Sequence, residues 1–399
     1  MTAPDILSVD FNADPYPHYR TLRNHFPLLF HEATNSYLLS RYEDVEHALK
    51  NPAFSTRNYD WQVEPVYGRT ILQMEGKEHS RHRNVLNTSF RGRDLFEKIV
   101  PMIHTNVQTL LDAFPPAPSQ VDFVADFATL FPIGVIVDML GLAKSELPRF
   151  HGWYTAFTDF LGNFAQDPII AEAGTRAKAE FEAYIFDIIT ERRARPGEDL
   201  LSTLCYAEID GVRMTDEEIK SFCSLLLTAG GETTDKALTL LLKNLIEHSD
   251  QMEAVRQDRS LVDKAFAETL RYTPPVHAIV RQPTEEVKVS GGTIPADASV
   301  MCLLGSANRD EQQYEAVDTF DIFREEIDEK KSFTGAAKHA AFSFGRHFCV
   351  GSLLAKIEVN VAINALLDRF SDIQFAEGVP PQDVGFFTRA PLAMKITYS

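Results

Sequence analysis

One long helical pattern constrains the fold of this chain more than any other feature. It begins at Thr215 and continues for about 34 residues, TDEEIKSFCSLLLTAGGETTDKALTLLLKNLIEH. Thr215 and Glu218 have the spacing of a capping box, which predicts where the helix begins. At 1.5 Å per residue the helix would be roughly 50 Å long, so it must cross the molecule and be buried over much of its length.

The middle of this helix has an unusual composition, AGGETT at residues 229–234. Each glycine costs about 1 kcal/mol relative to alanine in a helix interior. The adjacent threonines offer side-chain hydrogen bonds that compete with the helix ladder. Close helix–helix packing would explain a single glycine, whereas the whole segment predicts a functional distortion of the helix.

The rest of the chain predicts a mainly α fold with small accessory β-sheets. Ser40 and Glu43 also have capping-box spacing, which predicts a second helix start. Helical patterns are predicted over 95–113, 121–140 and 168–194, short strands over 277–282, 286–290 and 298–303, and proline-rich loops at 115–119, 195–200 and 272–276.

Composition bounds the kind of protein. With 399 residues, 44% of them hydrophobic, the chain has ample material for a large core. Its length would allow two or three domains, but a single large fold over 1–399 is expected. Its 39 basic and 57 acidic residues give a formal net charge of −18. This charge disfavours nucleic acid and anionic membranes as partners, because both are themselves negative.

The chain also lacks the signals of export or membrane insertion. The N-terminal residues show no cationic region followed by an apolar run, so no signal peptide is predicted. The longest apolar region, 127–143, contains Pro132 and Asp138 and is shorter than the roughly 20 apolar residues of a membrane span. The four cysteines form no CxxC pair, and together these features predict a cytoplasmic protein.

One cysteine lies in a distinctive stretch, FSFGRHFCVG at residues 342–351. An apolar helical pattern follows from 350, so Cys349 lies at or just before a helix N-terminus, where N–H groups and the dipole favour a thiolate. Gly345 and Gly351 allow close backbone approach, and the neighbouring phenylalanines provide an apolar shield. These features suit a thiolate ligand of a soft metal.

Two other roles for Cys349 stay open at this point. A buried structural cysteine is the commoner fate of an isolated thiol. A nucleophilic thiol would need a paired base, and His347, two residues away, carries no mark of that role.

The surroundings of Cys349 resemble a motif of a known family. Phe342-x-x-Gly345-x-x-x-Cys349-x-Gly351, continuing into Leu354-Ala355-x-x-Glu358, resembles the haem-ligand signature of the cytochromes P-450. Further stretches resemble other motifs of that family in the same order, namely His79-x-x-x-Arg83, AGGET at 229–233, Glu268-x-x-Arg271, Arg281 and the segment 307–324. Glu-x-x-Arg alone is not specific, but the ordered set extends over nearly the whole chain. Ser343 stands where many members have glycine, which would tighten that turn.

The resemblance implies a fold and a cofactor. It implies the cytochrome P-450 fold, with heme b (iron protoporphyrin IX) held between the long central helix and the helix that follows the cysteine loop. Cys349 would be the iron ligand, and Glu268 and Arg271, one helical turn apart, would form a buried structural pair. The other residues implied at the cofactor are His79, Arg83, Gly230, Gly231, Arg281, Phe342, His347 and Gly351. The basic ones among them would pair with the haem propionates.

The resemblance also implies a function, that of a haem-thiolate monooxygenase. Such an enzyme inserts one atom of O2 into an apolar small molecule by hydroxylation or epoxidation. Glu232 and Thr233 would deliver protons during oxygen activation, and Gly230 and Gly231 would leave room for dioxygen. The substrate pocket would include Leu226, Ala229, Val276, Ile279 and Phe386, with parts of 55–75 and 150–170, although the aromatic residues of 150–170 are slightly better explained by packing.

Electrons would come from a separate ferredoxin or flavodoxin with its reductase. The candidates for a basic docking patch are Arg91, Arg93, Arg346 and Lys356. Such a patch would speed encounter with an acidic partner.

Alternative functions differ in what they require. Oxidative ring closure or coupling would use the same site, and a peroxygenase would share Cys349 but lacks the acid–alcohol pair that Glu232 and Thr233 form. A non-catalytic haem protein would not need the oxygen-activation residues, and a cysteine hydrolase would need no haem.

Overall fold

The computed structural model describes residues 2–90, 95–163 and 167–399. The chain folds into two compact units. The first comprises Met1–Asn58, Phe114–Asp126 and Lys236–Ser399, and the second comprises Tyr59–Ala113 and Phe127–Asp235.

Helices dominate both units, as predicted. They are α1 Val9–Ala13, α2 Tyr16–His25, α3 Tyr42–Lys50, α4 Tyr59–Gln62, α5 Glu64–Tyr67, α6 Gly76–Phe90, α7 Val100–Asp112, α8 Leu130–Met139, α9 Leu147–Leu161, α10 Pro168–Ala194, α11 Leu200–Tyr206, α12 Asp216–Glu247, α13 Ser249–Gln257, α14 Val262–Tyr272, α15 Leu304–Ala307 and α16 Ser352–Arg369. A π-helical turn, Leu95–Ile99, precedes α7, and another, Val124–Ala128, precedes α8. No helix in the described ranges is both long and apolar enough to cross a membrane.

The sheets are small, and all but one hairpin lie in the first unit. Their strands are β1 Leu28–His31, β2 Ser36–Leu39, β3 Phe54–Ser55, β4 Ser119–Asp122, β5 Glu208–Ile209, β6 Val212–Arg213, β7 Ala278–Pro283, β8 Val287–Val289, β9 Gly292–Ile294, β10 Ser299–Leu303, β11 Ile373–Phe375 and β12 Lys395–Tyr398. One sheet has the order β1-β2-β10-β7-β3, another has the order β11-β12-β4, and β5-β6 and β8-β9 are hairpins. The three predicted strands correspond to β7, β8 and β10.

The predicted helix over 121–140 is wrong at its start. Residues 119–122 form β4, which pairs antiparallel with β12, so that Val121 lies opposite Ile396. This pairing joins segments far apart in sequence, which local periodicity cannot predict.

The long helix α12 forms as predicted. Its capping box is complete, because Thr215 Oγ1 accepts from the Glu218 N–H at 3.2 Å and Glu218 Oε2 accepts from the Thr215 N–H at 2.7 Å. The helix is 32 residues long and stays α-helical through 229–234. The predicted distortion of this segment therefore does not break the helix. Thr233 Oγ1 does donate to the Ala229 carbonyl at 2.8 Å, the side-chain alternative expected of threonine in a helix.

The predicted capping box at Ser40 and Glu43 is wrong. The helix α3 starts at Tyr42, whose N–H donates to Asp310 Oδ2 at 2.8 Å. A carboxylate remote in sequence therefore caps this helix. The Ser40 carbonyl instead accepts from Ser306 Oγ at 2.7 Å.

Candidate active site

The cysteine loop of the first unit presents Cys349 just before α16. Cys349 is half-buried and forms no disulfide, whereas the other three cysteines are buried. The Cys349 N–H donates to the Phe342 carbonyl at 2.9 Å, and the Phe348 N–H donates to the Gly345 carbonyl at 3.1 Å. Since Gly351 caps α16, Cys349 lies two residues before the cap, in agreement with the sequence prediction.

Two glycines of the loop are needed for different reasons. Gly345 has a φ of +70°, and a Cβ atom there would lie 2.8 Å from the Leu49 carbonyl oxygen of α3. Gly351 has ordinary backbone angles, and a Cβ atom there would lie 3.9 Å from Cys349 Sγ. Glycine at 345 thus lets the loop pack against α3, and glycine at 351 leaves the space beside the sulfur open.

Phenylalanine rings shield the loop, as predicted. Phe344 and Phe348 are buried, and the Phe342 and Phe348 rings lie 6.1 Å apart. Ser343 adopts φ +62°, the left-handed conformation that favours glycine, so its turn carries backbone strain.

The first unit also holds two of the basic residues implied for the cofactor. Arg281 lies on β7 opposite Val300 of β10, is buried, and donates from Nη1 to the Val280 carbonyl at 2.8 Å. His347 ends the short 3-10 turn Gly345–His347 and is half-buried. Their contact with propionates stays a prediction.

Glu268 and Arg271 form a buried pair. Their side chains are joined by hydrogen bonds of 2.7 and 2.8 Å, and Arg271 is fully buried. Arg324 also donates to Glu268 Oε1, at 3.2 Å. Arg324 ends the segment 307–324, which resembles a family motif, but the sequence predicted no role for it. Only the tertiary fold brings Arg324 to Glu268.

In the second unit, α12 has one uncovered position in its buried middle. Ala229 is exposed and Thr233, one turn later, is half-buried, while Leu226 and Glu232 are buried. Of Leu226 and Ala229, the two predicted pocket residues on α12, Ala229 is therefore the accessible one.

The adjacent glycines have a packing role. A Cβ atom at Gly230 would lie 3.2 Å from Ile136 Cδ1 of α8, and one at Gly231 would lie 3.0 Å from Tyr154 Cε2 of α9. Close helix packing, the simpler alternative for one glycine, thus holds for both. That either glycine borders the cofactor stays a prediction.

His79 and Arg83 lie one turn apart on α6, as predicted. His79 is buried and Arg83 is half-buried. Their side chains therefore share one side of the helix, and their role at the propionates stays a prediction.

Two tyrosines beside Glu232 were missed by the sequence analysis. Burial raises the pKa of both Tyr67 and Tyr154 well above the usual range, and the negative charge of Glu232 raises the pKa of both further. The sequence held a sign of Tyr154 only, because Gly231 of the AGGETT segment admits its ring close to the helix.

The aromatic residues of 150–170 pack against other rings, which is the explanation that the sequence analysis favoured. On α9, Phe150, Trp153 and Phe157 contact Phe181 of α10, with ring centroids 5.3 to 6.1 Å apart. Residues 164–166 lie outside the described residues.

The remaining predicted pocket residues lie in the first unit. Val276, Ile279 and Phe386 are all half-buried. The Phe386 ring also packs 6.0 Å from Phe11, so part of its surface belongs to the core.

One residue of the predicted docking patch is paired with a carboxylate, and the patch itself stays a prediction. Lys356 Nζ lies 3.0 Å from Asp263 Oδ2, which neutralises it. Arg346 is half-buried, and Arg91 and Arg93 lie outside the described residues.

Each unit, considered separately, contains residues that suit contact with a haem. Cys349 would offer one sulfur donor, with open space beside it at Gly351, and a porphyrin would supply the remaining ligands of an iron. Ala229 offers an accessible small side chain in a buried helix. Within the three described ranges, no group of three or more His, Cys, Asp or Glu residues could hold a metal ion without such a macrocycle.

Comparisons with known proteins show the family of the chain. Residues 16–396 match the family model described as Cytochrome P450. The chain is 37% identical over 395 residues to "Pulcherriminic acid synthase" of Bacillus subtilis (strain 168), covering 98% of this chain and 97% of that protein. It is 34% identical over 381 residues to "Cytochrome P450 monooxygenase PikC" of Streptomyces venezuelae, covering 92% and 86%.

Solved structures show the same fold. P450BioI, in complex with an acyl carrier protein ligated to hexadec-9Z-enoic acid, superposes with a TM-score of 0.88 at 27% identity, covering 98% of this chain and 99% of that one. The bacillaene polyketide synthase cytochrome P450 PksS of Bacillus subtilis 168 superposes with a TM-score of 0.87 at 28% identity, covering 98% of both chains.

The fold and the family match define a haem-dependent oxidoreductase. The chain belongs to the cytochrome P450 family. It is therefore a haem-binding monooxygenase, and enzymes of this family use O2, a redox partner and an organic substrate.

Proposed function

We propose that this enzyme inserts one oxygen atom from O2 into an apolar small molecule, with Cys349 as the thiolate ligand of the haem iron. The observation that carries the proposal is the partly exposed Cys349 thiol, placed just before α16 and beside the open position at Gly351. When bound, the haem supplies dioxygen binding and O–O cleavage, which thiolate donation favours.

Glu232 and Thr233 are proposed to hold and move protons. Glu232 is buried, so water reaches it poorly, and it is followed by a half-buried hydroxyl. A carboxyl group and an alcohol at neighbouring positions can pass protons in a site that otherwise excludes water. Thr233 Oγ1 donates to the Ala229 carbonyl, and its lone pairs can still accept a hydrogen bond from a second donor.

Four basic residues are proposed to pair with the propionates of the haem. They are His79, Arg83, Arg281 and His347. Of the two arginines Arg281 is the buried one, and it lies on β7, between β10 and β3. A buried guanidinium suits a carboxylate because it donates in a bidentate geometry.

Electrons are proposed to come from a ferredoxin or flavodoxin with its reductase. A cytoplasmic location is proposed as well, because none of the four cysteines forms a disulfide. Half-buried apolar side chains at Val276, Ile279 and Phe386 support an apolar substrate. The relatives' names, a pulcherriminic acid synthase and a polyketide synthase P450, support a substrate from natural-product biosynthesis.

The ligand assignment is tested with the carbon monoxide complex of the reduced protein. The wild type should show the red-shifted Soret band of a thiolate-ligated haem, and Cys349→Ala should lose it. Cys302→Ala is the matched control, because burial raises the pKa of the Cys302 thiol to about 12 and keeps it protonated. A thiolate band that survives in Cys349→Ala would overturn the assignment.

The reaction is tested by a spectral binding screen over chemically diverse small molecules, followed by turnover of the hits. Product formation with NADH, a reductase and ferredoxin or flavodoxin supports the monooxygenase. Turnover with peroxide alone would indicate a peroxygenase instead. Products without added oxygen would indicate ring closure or coupling.

A further inference from the structure

A five-residue loop between β11 and β12, residues 385–389, carries two neighbouring phenylalanines. It is closed by a pair of hydrogen bonds, since the N–H groups of Val384 and Ala390 each donate to the other residue's carbonyl oxygen, at 3.1 and 3.2 Å. The rings of Phe386 and Phe387 lie 4.9 Å apart and nearly perpendicular, and both residues are half-buried. The loop is therefore short and closed, and it carries two large rings whose surfaces are only partly covered.

Two features restrict the shape of the 385–389 loop. Gly385 has φ +106°, and a Cβ atom there would overlap the Thr388 carbonyl oxygen, so glycine is the residue that this turn accepts. Just before the loop, Asp383 accepts a charge-assisted hydrogen bond of 2.8 Å from Lys243 Nζ of α12. These two side chains are only 11% and 13% exposed, so their ion pair is largely shielded from water.

The loop is hydrogen-bonded to the segment that contains Val276, one of the proposed pocket residues. The His277 N–H donates to the Phe387 carbonyl at 2.7 Å, and the Arg389 N–H donates to the Pro275 carbonyl at 2.8 Å. Val276 lies between these two contacts and forms an antiparallel bridge with the loop. Backbone contacts therefore place Phe387 next to Val276, although the two residues are distant in sequence.

The side chain of Arg389 joins the loop to the N-terminal helix α1. Arg389 is buried, and its Nη1 donates to the Asn12 carbonyl at 2.8 Å and to the Gly385 carbonyl at 3.1 Å. Its Nη2 donates to the Ala13 carbonyl at 3.0 Å. Asn12 and Ala13 end α1, where carbonyl groups have no partner within the helix. One planar guanidinium therefore connects the start of the loop to the C-terminus of α1.

The helix α1 also packs directly against the loop. Phe11 is buried, and its ring centroid lies 6.0 Å from that of Phe386 and 5.4 Å from that of Tyr19. Phe11 and Tyr19 belong to one buried core cluster, against which both phenylalanines of the loop pack. Because a ring in a close-packed core moves little, Phe11 limits how far the Phe386 ring can move.

We propose that Arg389 and Phe11 are positioning residues for substrate specificity, because they fix Phe386 and Phe387 as a wall of the substrate pocket. The inference rests on the proposed function, in which Phe386 lines an apolar pocket. Neither positioning residue touches the substrate, since each acts through the loop. A fixed wall limits the size of the apolar group that the pocket accepts, whereas a loop that could move would admit a larger group. Selectivity for substrate size therefore depends in part on α1.

The first experiment measures size selectivity without turnover. Imidazoles that carry one, two or three linked phenyl rings are bound to the ferric haem-loaded protein, and the shift of the haem spectrum gives a dissociation constant for each. In Arg389→Met, the ratio of the dissociation constants of the three-ring and one-ring ligands should fall about tenfold, because a misfit of one methylene is worth about 10- to 200-fold. The one-ring ligand should bind within about twofold of its wild-type affinity, because it does not need the additional space.

Arg256→Met is the matched control. Arg256 is a half-buried arginine that also donates to carbonyls at a helix C-terminus, those of Leu367 and Phe370, at 3.1 and 2.9 Å. A general loosening of the fold would change the ligand ratio in both variants, whereas the positioning role changes it in Arg389→Met alone. A change of less than about threefold in Arg389→Met overturns the proposal, and so does an equal change in Arg256→Met.

Phe11→Leu decides the question if Arg389→Met does not bind haem. Leucine keeps most of the core filled but removes the ring that contacts Phe386, so the ligand ratio should fall by about threefold or more. Phe114→Leu is its control, because Phe114 is a buried ring that packs on Phe370, in another aromatic cluster. An unchanged ratio in Phe11→Leu overturns the proposal. Failure of the wild type to form product from O2 would instead refute the proposed function, and the ligand ratios would stay measurable because imidazole binding needs no turnover.

Discussion

Gly231 leaves the space that the Tyr154 ring fills. A Cβ atom at Gly231 would lie 3.0 Å from Tyr154 Cε2, while one at the neighbouring Gly230 would lie 3.2 Å from Cδ1 at the flexible tip of Ile136. The two adjacent glycines of α12 thus differ in what alanine would meet, because a buried ring can move much less than a terminal methyl group.

This difference predicts opposite effects of alanine at the two positions. Gly231→Ala should lower the free energy of unfolding by about 1–2 kcal/mol, because overpacking outweighs the gain in helix propensity. Gly230→Ala should be neutral or stabilising by up to about 1 kcal/mol. Denaturant titration of both haem-loaded variants measures the difference, and equal destabilisation would contradict this account.

Thr233→Ala should keep haem and substrate binding but divert electrons to peroxide. The reason is that the variant loses the hydroxyl next to Glu232 while the helix around it is retained. Peroxide released per NADH measures the effect, with Thr234→Ala as the matched control because Thr234 is buried on another side of α12. Tightly coupled turnover in Thr233→Ala would refute a proton-delivery role for Thr233.

Glu268→Gln should destabilise the protein by about 3–5 kcal/mol, because it leaves the buried guanidinium groups of Arg271 and Arg324 without their carboxylate. Arg20→Ala is the comparison. Its ion pair with Glu311 is half-exposed and should be worth about 1 kcal/mol or less. Similar losses of unfolding free energy in the two variants would show that the Glu268 cluster is not a buried support.

Ser343→Gly should stabilise the cysteine loop by about 0.5–1 kcal/mol. Glycine removes the cost of the left-handed conformation at φ +62°, less the entropy that it adds to the unfolded chain. Ser343→Ala keeps the strain while removing the hydroxyl, so thermal unfolding of this pair isolates the backbone term. A Ser343→Gly variant no more stable than Ser343→Ala would exclude strain at this turn.

The free energy of unfolding should decrease as the pH falls below neutral, because His339 is buried. Burial lowers the pKa of His339 from 6.5 to about 4, so between these values the unfolded chain binds a proton that the folded protein does not. The stabilisation is complete above pH 6.5, and about 3 kcal/mol of it is lost as the pH falls to 4. His339→Phe should flatten this part of the unfolding curve, whereas His25→Gln, at an exposed position, should not. The same slope in His339→Phe and the wild type would assign the effect to other groups, such as His277, whose pKa burial lowers to about 3.

Local features of the fold were predictable because they depend on neighbours in sequence. The Thr215–Glu218 box forms because both partners lie within one turn, and α10 has the predicted bounds. The Ser40–Glu43 box has the same spacing and does not form, because Asp310 takes the cap instead. Arg324 and Tyr154 were missed for a related reason, since each acts on a residue that is distant along the chain.

The sequence by itself determined the helical class, the position of the Cys349 thiol before a helix, and the family, because these follow from periodicity, capping and motif spacing within short segments. Only the tertiary structure decided which groups satisfy the buried charges of Glu268 and which rings lie against the glycines of α12. The physical reason is that desolvation and packing act through space, so the partner of a buried group is set by the folded chain and not by its neighbours in sequence.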